Sequence, residues 1–285
     1  MGEFGGLRVD AHLHVWDLGV RPQPWTVGMP ELSRSFSLAD VQPALAANHF
    51  DATIVVQTVT VPEETPELLA LAAREPLVAG VVGWTDLADT DVGTRLAAVA
   101  AEPGGTSLVG IRHQVQAEPD PRWLCRRDVR RGLAAVADAD LAFDLVVRPF
   151  QLPAAAETAA ELPQLRFVLD HGGKPDIAAG GLEPWASDIA DLSLMPNVAV
   201  KLSGLVTEAD HDAWTVEQLR PYVDVLLEAF GPDRVMFGSD WPVCLLATSY
   251  DVWVAAATAL TAGLTEAERR EIFGSTAARW YRLTT

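Results

Sequence analysis

The sequence predicts a single-domain (β/α)8 barrel of the TIM-barrel class over residues 1–285, and three observations lead to this prediction. Eight short apolar runs rich in β-branched residues recur along the chain. An Ala- and Leu-rich stretch with helical spacing follows each run, and no linker rich in Gly, Pro and Ser divides the chain. Repeated strand and helix require a parallel sheet, and eight repeats favour its closure. An open, doubly wound sheet is the alternative.

The predicted elements follow from these runs in chain order. The strands are LRVDAH, ATIVVQ, LVAGVVGW, LVGIRH, AFDLVVR, LRFVLDH, NVAVKLS and RVMFGSD. The helices between them are LADVQPALAANH, PELLALAARE, DVGTRLAAVAAE, DVRRGLAAVADAD, PAAAETAAELP, EPWASDIADLSLM and VEQLRPYVDVLLEAF. Two more helical stretches, SYDVWVAAATAL and TEAERREIFGSTAARWYRL, are expected to close the outer layer. Residues 1–6 are expected to be a disordered tail, and the Pro-containing segment 18–37 a loop or lid over the site.

Charge and composition limit the classes of partner. The chain has 21 Lys and Arg against 39 Asp and Glu, a formal net charge of −18. Such a chain repels phosphate backbones and anionic lipid, which argues against nucleic acid and membranes as partners. No apolar run reaches the roughly 18 residues of a membrane helix. Only two cysteines occur and the N-terminus lacks a secretion signal, so we expect a cytoplasmic protein that acts on a small molecule.

Polar residues stand where the predicted strands end, which is where barrel enzymes place their active sites. His12 and His14 end the first strand, and because they are two residues apart they share one face and can aim at one atom. The other strands end in Gln57, Trp84, Arg112 with His113, Arg148, His171, Lys201 with Ser203, and Asp240.

Two of these strand-end patterns suggest a ligand. Gly238 precedes Asp240 and leaves space beside it, so this carboxylate can bind a metal or accept a proton from water. The HGGKP motif combines His171 and Lys174 with two glycines that permit a tight turn or a close approach to a ligand. Arg148 and Lys201 interrupt apolar strands, where either a structural ion pair or a bound oxygen-rich ligand would explain a cation.

In this order the motifs resemble the amidohydrolase superfamily, in particular its sugar-lactone hydrolases such as L-fuconolactonases and L-rhamnono-lactonases. The motifs are VDAHLHVWD, VVQTVTVPEET, GIRHQVQ, DHGGKP, VKLSGL and FGSDWPV, within a similarity that runs from Arg8 to Tyr281. The superfamily's metal set adds a carboxylated lysine on strand four and a histidine on strand five. This chain has Arg112 with His113, and Arg148, at those places.

The resemblance therefore implies at most one weakly held divalent ion, with zinc as the first choice, on His12, His14 and Asp240, with His171 in reach. Catalysis without metal, as in related pyrone-dicarboxylate lactonases, is the other possibility. No organic cofactor is expected.

The reaction that the resemblance implies is the opening of a sugar lactone to an aldonic acid. Asp240 would be the general base, and His12, His14 and His171 would stabilise the oxyanion. The expected substrate contacts are Gln57, Arg112, His113, Lys174, Trp16, Trp84 and Trp241. A metal-dependent decarboxylase of aromatic acids and a non-catalytic barrel that binds a sugar acid are the alternatives. The identity of the sugar and the oligomeric state stay open.

Overall fold

A computed structural model describes residues 6–283, and within this range eight parallel strands pair in chain order. They are β1 Val9–Leu13, β2 Ala52–Val56, β3 Val78–Gly83, β4 Leu108–His113, β5 Ala142–Leu145, β6 Arg166–Leu169, β7 Val198–Leu202 and β8 Val235–Phe237. The sheet closes on itself because the His14 amide donates to the Trp241 carbonyl at 2.7 Å and the Asp240 amide donates to His12 at 2.8 Å. All eight predicted strands and the closed barrel are confirmed, and the open sheet is excluded.

Helices separate the strands and cover the outside of the barrel. They are α1 Leu38–Ala47, α2 Glu64–Ala72, α3 Val92–Ala100, α4 Arg127–Asp138, α5 Leu152–Glu161, α6 Trp185–Ser193, α7 Val216–Phe230 and α8 Tyr250–Leu260. Two short helices follow, α9 Glu266–Arg270 and α10 Thr276–Trp280, joined by a π-helical turn over Glu271–Ser275. Among residues 6–283 no helix is both long and apolar enough to cross a membrane.

The C-terminal segment differs from its prediction. Trp280, Tyr281 and Leu283 are buried in one apolar cluster with residues from the beginnings of the strands, such as Val9 and Ala142. The segment therefore plugs the N-terminal end of the barrel instead of completing the outer helical layer. Burial of these large side chains removes apolar surface from water, and a bare barrel end would leave that surface exposed.

The long segment 18–37 lies beside the C-terminal end of the barrel. Trp16 and Phe36 exchange two backbone hydrogen bonds of 2.8 and 2.9 Å at the base of this segment. Arg21 forms a bidentate ion pair with Glu67 of α2. Its side chains contribute to the wall of the main cavity. Action of this segment as a lid stays a prediction. Of the predicted tail 1–6, residues 1–5 lie outside the described range and Gly6 is in a turn.

Candidate active site

The C-terminal end of the barrel opens into a cavity of about 930 Å³. Four polar residues from different strand ends line it: His14, Arg112, His171 and Asp240. The cavity is also lined by Arg21, Pro22, Pro24, Trp25 and Met29 from segment 18–37, by residues 58–61 after β2, and by Gln114, Gln116, Arg148, Lys174, Glu208 and His211. This is the end at which barrel enzymes carry their active sites.

His12 and His14 converge as the sequence predicts. Their Nε2 atoms are 3.1 Å apart, and both side chains are buried. His14 Nδ1 lies 2.7 Å from the Val56 carbonyl, which only accepts hydrogen bonds, so this nitrogen carries the proton. The Nε2 atom of His14 therefore carries no proton, and its lone pair faces Nε2 of His12. Burial lowers the pKa of His12 well below its usual range, so the imidazole is neutral at pH 7.

Asp240 follows β8, which lies next to β1 where the barrel closes, and its carboxylate faces the two histidines. Its Oδ1 is 3.5 Å from His14 Nε2 and 3.7 Å from His12 Nε2. The close approach needs Gly238, because a Cβ there would lie 2.7 Å from the Cβ of His12. Burial alone would raise the pKa of Asp240, but nearby His171, His14 and His12 outweigh it and hold this pKa below its usual range. The group is therefore a carboxylate at neutral pH.

His171 completes the cluster from the turn after β6. Its backbone has a φ of +55°, in the left-handed region that residues other than glycine seldom adopt, and Gly172 has the same conformation. The ring rests against Gly204, where a Cβ would lie 2.6 Å from His171 Nδ1. That nitrogen is 2.9 Å from Ser203 Oγ and 3.9 Å from Asp240 Oδ2. Burial lowers the pKa of His171 to about 4, so it too is neutral at pH 7.

This cluster fits one divalent metal ion. Imidazole nitrogens and a carboxylate oxygen are the usual ligands of zinc, and bonds of about 2.0 to 2.1 Å in a tetrahedron place ligand atoms about 3.3 Å apart. The separations of 3.1, 3.5 and 3.7 Å among His12, His14 and Asp240 lie close to that value. The ligand atoms of His12, His171 and Asp240 also lie within 4.8 Å of one another, so His171 can replace His14 in a three-ligand set.

Residues 9–283 match the amidohydrolase family model. The chain belongs to the amidohydrolase family. An L-fucono-1,5-lactonase from Burkholderia multivorans is 40% identical over 292 residues, which cover 98% of this chain and 97% of that protein. An L-fucono-1,5-lactonase from Burkholderia ambifaria is 37% identical and covers 97% and 96% of the two chains. A crystal structure of an amidohydrolase from Burkholderia multivorans with bound zinc superposes with a TM-score of 0.93 at 39% identity, over 98% of this chain and all of that one.

In this amidohydrolase, Lys201 lies beneath the cluster instead of at the cavity mouth. It is fully buried, and its Nζ is 2.5 Å from Asp144 Oδ2, 2.9 Å from Asp170 Oδ1 and 3.0 Å from His12 Nδ1. Of the two explanations for this buried cation, a structural ion pair and a bound oxygen-rich ligand, the structure supports the ion pair. In the second group of possible metal ligands, His12, Asp144 and Asp170, the Lys201 ammonium therefore supplies the positive charge that a metal ion would otherwise bring.

Arg112 reaches the cavity, but its main partners belong to the protein. Its Nη1 donates to Asp170 Oδ2 at 2.9 Å and its Nη2 donates to the Gln57 carbonyl at 2.5 Å. Burial alone would raise the pKa of Asp170, but Lys201, His12 and Arg112 hold it well below its usual range. Asp144 and Asp170 were missed in the sequence analysis, although each is a carboxylate within or beside an apolar strand, and that was the available signal.

Within residues 6–283, five predicted substrate contacts of the amidohydrolase do not line the cavity: Gln57, His113, Trp16, Trp84 and Trp241. Adjacent residues of a strand face opposite sides, so His113 points away once Arg112 points inward. His113 stacks on Trp123 with ring centroids 4.3 Å apart and accepts a hydrogen bond at Nδ1 from Trp84 Nε1 at 3.0 Å.

The remaining three of these residues support the site from behind. Gln57 is buried and donates to the Arg112 carbonyl at 3.2 Å. Trp16 and Trp241 both pack edge to face on Phe36, with ring centroids 5.0 and 5.3 Å away. The aromatic wall of the cavity is Trp25 instead, which the sequence analysis missed because it lies in the long loop and not at a strand end.

Lys174 and Arg148 do line the cavity, and both lie near Glu208. Lys174 Nζ is 3.0 Å from Glu208 Oε1, while Arg148 Nη1 is 3.9 Å from Glu208 Oε2. Nearly half of the Arg148 side chain is exposed, so this cation needs no buried partner. The three charged groups form a polar rim above the histidine cluster and can exchange hydrogen bonds with a hydroxylated ligand.

Proposed function

We propose that this amidohydrolase hydrolyses a sugar lactone to the corresponding aldonic acid. The proposal rests on one observation. The ionised carboxylate of Asp240 lies 3.5 Å from the unprotonated Nε2 of His14, and both residues line a large cavity that charged residues also line. The two relatives named L-fucono-1,5-lactonase, each similar over nearly the whole chain, support a lactone as the substrate.

In the proposed reaction Asp240 accepts a proton from water as the water oxygen attacks the lactone carbonyl carbon. The carbonyl π-electrons move to oxygen, and donors in the cluster stabilise that oxyanion. When the tetrahedral carbon collapses, its bond to the ring oxygen breaks, and Asp240 returns the proton to this leaving oxygen. The products are a carboxylic acid and a free hydroxyl on one open chain, so atoms and charges balance.

One divalent ion fits His12, His14 and Asp240, with His171 adjacent, and when bound it would polarise the carbonyl group and acidify water. Zinc in the related amidohydrolase structure supports zinc as the ion. The protein groups still have separate tasks. His171 contributes a neutral ring to the floor of the cavity, and Asp240 holds the proton between its removal from water and its transfer to the leaving oxygen.

The rim of Lys174, Glu208 and Arg148 would bind the hydroxyl groups of the sugar, while Trp25 and Met29 would cover its apolar face. Donors and acceptors that a plain alkyl lactone leaves unpaired cost about 1 to 3 kcal/mol each, which favours a sugar. The net charge of −18 still argues for a small-molecule substrate instead of nucleic acid.

A panel of aldonolactones, plain aliphatic lactones and an aromatic hydroxy acid tests the proposal. We expect acid release, followed with a pH indicator, from at least one sugar lactone and much less from the plain lactones. Carbon dioxide release from the aromatic acid, without lactone opening, would instead support the decarboxylase alternative. Binding of a sugar acid without any turnover would support the non-catalytic alternative.

A further inference from the structure

Lys201 is a buried charge that the proposed reaction does not use, and it touches the active site from below. Its Nζ contacts Asp144, Asp170 and Nδ1 of His12, the last at 3.0 Å. The Tyr281 hydroxyl donates to Asp144 at 2.8 Å and so holds this carboxylate in place. Lys201 is therefore an ammonium fixed by two carboxylates, directly behind one of the two histidines that converge on the cavity floor.

The protons along the histidine pair can be placed one after another. The Val56 carbonyl accepts, so His14 carries its proton on Nδ1 and has a lone pair on Nε2. The 3.1 Å contact between the two Nε2 atoms then requires a proton on His12 Nε2. Nδ1 of a neutral His12 is left as a lone pair, and the Lys201 ammonium, which only donates, faces it at 3.0 Å. Every contact in this chain pairs one donor with one acceptor.

Two neighbours offer competing contacts to His12, and both contacts are longer than those that set this order. Arg112 Nη1 donates one N–H to Asp170 Oδ2 at 2.9 Å and lies 3.3 Å from His12 Nε2, farther than His14 Nε2 at 3.1 Å. Asp170 Oδ1 lies 3.4 Å from His12 Nδ1, farther than the Lys201 ammonium at 3.0 Å.

We propose that Lys201 is a positioning residue that holds His12 in the Nε2–H tautomer and thereby weakens divalent metal binding at the His12–His14–Asp240 cluster. A metal needs a lone pair on Nε2 of both histidines, so His12 would have to move its proton to Nδ1. That proton would then face an ammonium that cannot accept it. Histidine ligands of metals usually donate their second N–H to a carboxylate or carbonyl acceptor, and here the nearest group is a donor.

Without metal, the same arrangement keeps the His12 Nε2 proton in the hydrogen bond to His14 Nε2. The inference concerns tautomer and affinity and does not depend on the substrate. If the lactonase proposal fails, the tautomer of His12 can still be measured, and if the tautomer is reversed, lactone hydrolysis can still be true.

The first test compares zinc affinity in three proteins by chelator competition. Lys201→Met alone would leave the buried Asp144 carboxylate without its cation, whereas Asp170 keeps Arg112, so the substitution is combined with Asp144→Asn. The single variant Asp144→Asn is the matched control, because it keeps the ammonium at His12. We expect the double variant to bind zinc about ten- to a hundredfold more tightly than wild type, within the range of effects of outer-shell partners, and the control to stay near wild type. A folded double variant with unchanged or weaker affinity would overturn the proposal.

The second test needs no variant at the lysine. Long-range proton–nitrogen NMR of the chelator-treated wild-type protein, labelled with nitrogen-15 in its six histidines, reports which ring nitrogen carries each proton. His12→Asn and His14→Asn spectra assign the two signals. We expect a proton on Nε2 of His12 and on Nδ1 of His14, and movement of the His12 proton to Nδ1 on addition of zinc. A proton on Nδ1 of His12 before zinc is added would refute the proposal.

Discussion

The Tyr281 hydroxyl, which comes from the C-terminal plug, lies 2.8 Å from both carboxylate oxygens of Asp144 inside the barrel. Asp144 in turn contacts Lys201, which contacts His12. Two packed side chains thus connect the N-terminal end of the barrel with the floor of the active-site cavity. The plug closes the fold and also supplies a hydrogen bond to a buried carboxylate.

Tyr281→Phe should therefore destabilise the protein more than the loss of one hydroxyl usually does. A hydrogen bond to a charged group contributes about 1.5 to 3 kcal/mol, and the buried Asp144 would lose this donor. Urea denaturation measures the change. Tyr222→Phe is the matched control, because its hydroxyl makes only a 3.4 Å contact with the Gly181 carbonyl. Equal stabilities for both variants would contradict a special role of the Tyr281 hydroxyl.

The sequence was sufficient to predict the barrel because its signal is local and repeated. Each strand is a short apolar run and each helix an amphipathic stretch, so element type could be read without tertiary information. The convergence of His12 and His14 followed from strand geometry alone. The position of Asp240 opposite them required only closure of the sheet, which eight repeats favour.

The charged layer below the cluster could not be predicted in the same way. Lys201 and Asp144 lie in β7 and β5 and Asp170 directly follows β6, and only the shear of the closed barrel decides which of these residues lie at the same depth. The contribution of Tyr281 depends on the C-terminal segment entering the barrel end. Reading strand ends also could not separate inward from outward residues, and this is why Arg112 and His113 received the same role.

Replacement of Asp240 by Asn should reduce turnover of a sugar lactone by at least about a hundredfold, as expected for loss of a general base. The amide has nearly the same size but accepts no proton at neutral pH. Initial rates at saturating substrate provide the measurement. Circular dichroism verifies that the variant is folded, and a folded variant with near-normal turnover would remove Asp240 from the role of base.

Metal content should be at most one divalent ion per chain, and dialysis against a chelator should remove it. The structural reason is that Arg112 in β4 and Arg148 in the loop after β5 cannot serve as ligands, while His12, His14 and Asp240 converge on a single site. Elemental analysis before and after dialysis checks the expectation. Two ions per chain that survive dialysis would require a binuclear site.

Lys174→Met should impair hydrolysis of a sugar lactone about tenfold more than hydrolysis of an unsubstituted lactone of the same ring size. The lysine lies on the cavity wall, and a sugar hydroxyl that loses its donor costs about 1 to 3 kcal/mol. The comparison is kcat/KM for both substrates. Arg112→Met is the contrasting variant, because Arg112 pairs with Asp170 and its loss should affect both substrates alike. Equal losses in Lys174→Met would place sugar selection elsewhere.

Asp10 provides a pH-dependent prediction about stability. This fully buried carboxyl group accepts hydrogen bonds from the Ser239 amide at 2.8 Å and the Tyr250 hydroxyl at 3.1 Å. Burial nevertheless dominates and raises the pKa of Asp10 to about 6, from an ordinary value of 3.8. Between these two values the folded protein binds the proton more tightly than the unfolded chain does. The contribution of Asp10 to stability is therefore full below about pH 4 and is lost as the pH rises through about 6.

Asn at position 10 cannot titrate, so wild type and Asp10→Asn should respond differently to pH. The free energy of unfolding of wild type, minus that of the variant, should fall by about 2 kcal/mol between about pH 4.5 and about pH 7.5. Urea denaturation of both proteins in chelator-containing buffers measures this difference, and other titrating groups cancel because both proteins have them. A difference that stays constant, or that grows with pH, would mean that Asp10 is already ionised in the folded barrel at the lower pH.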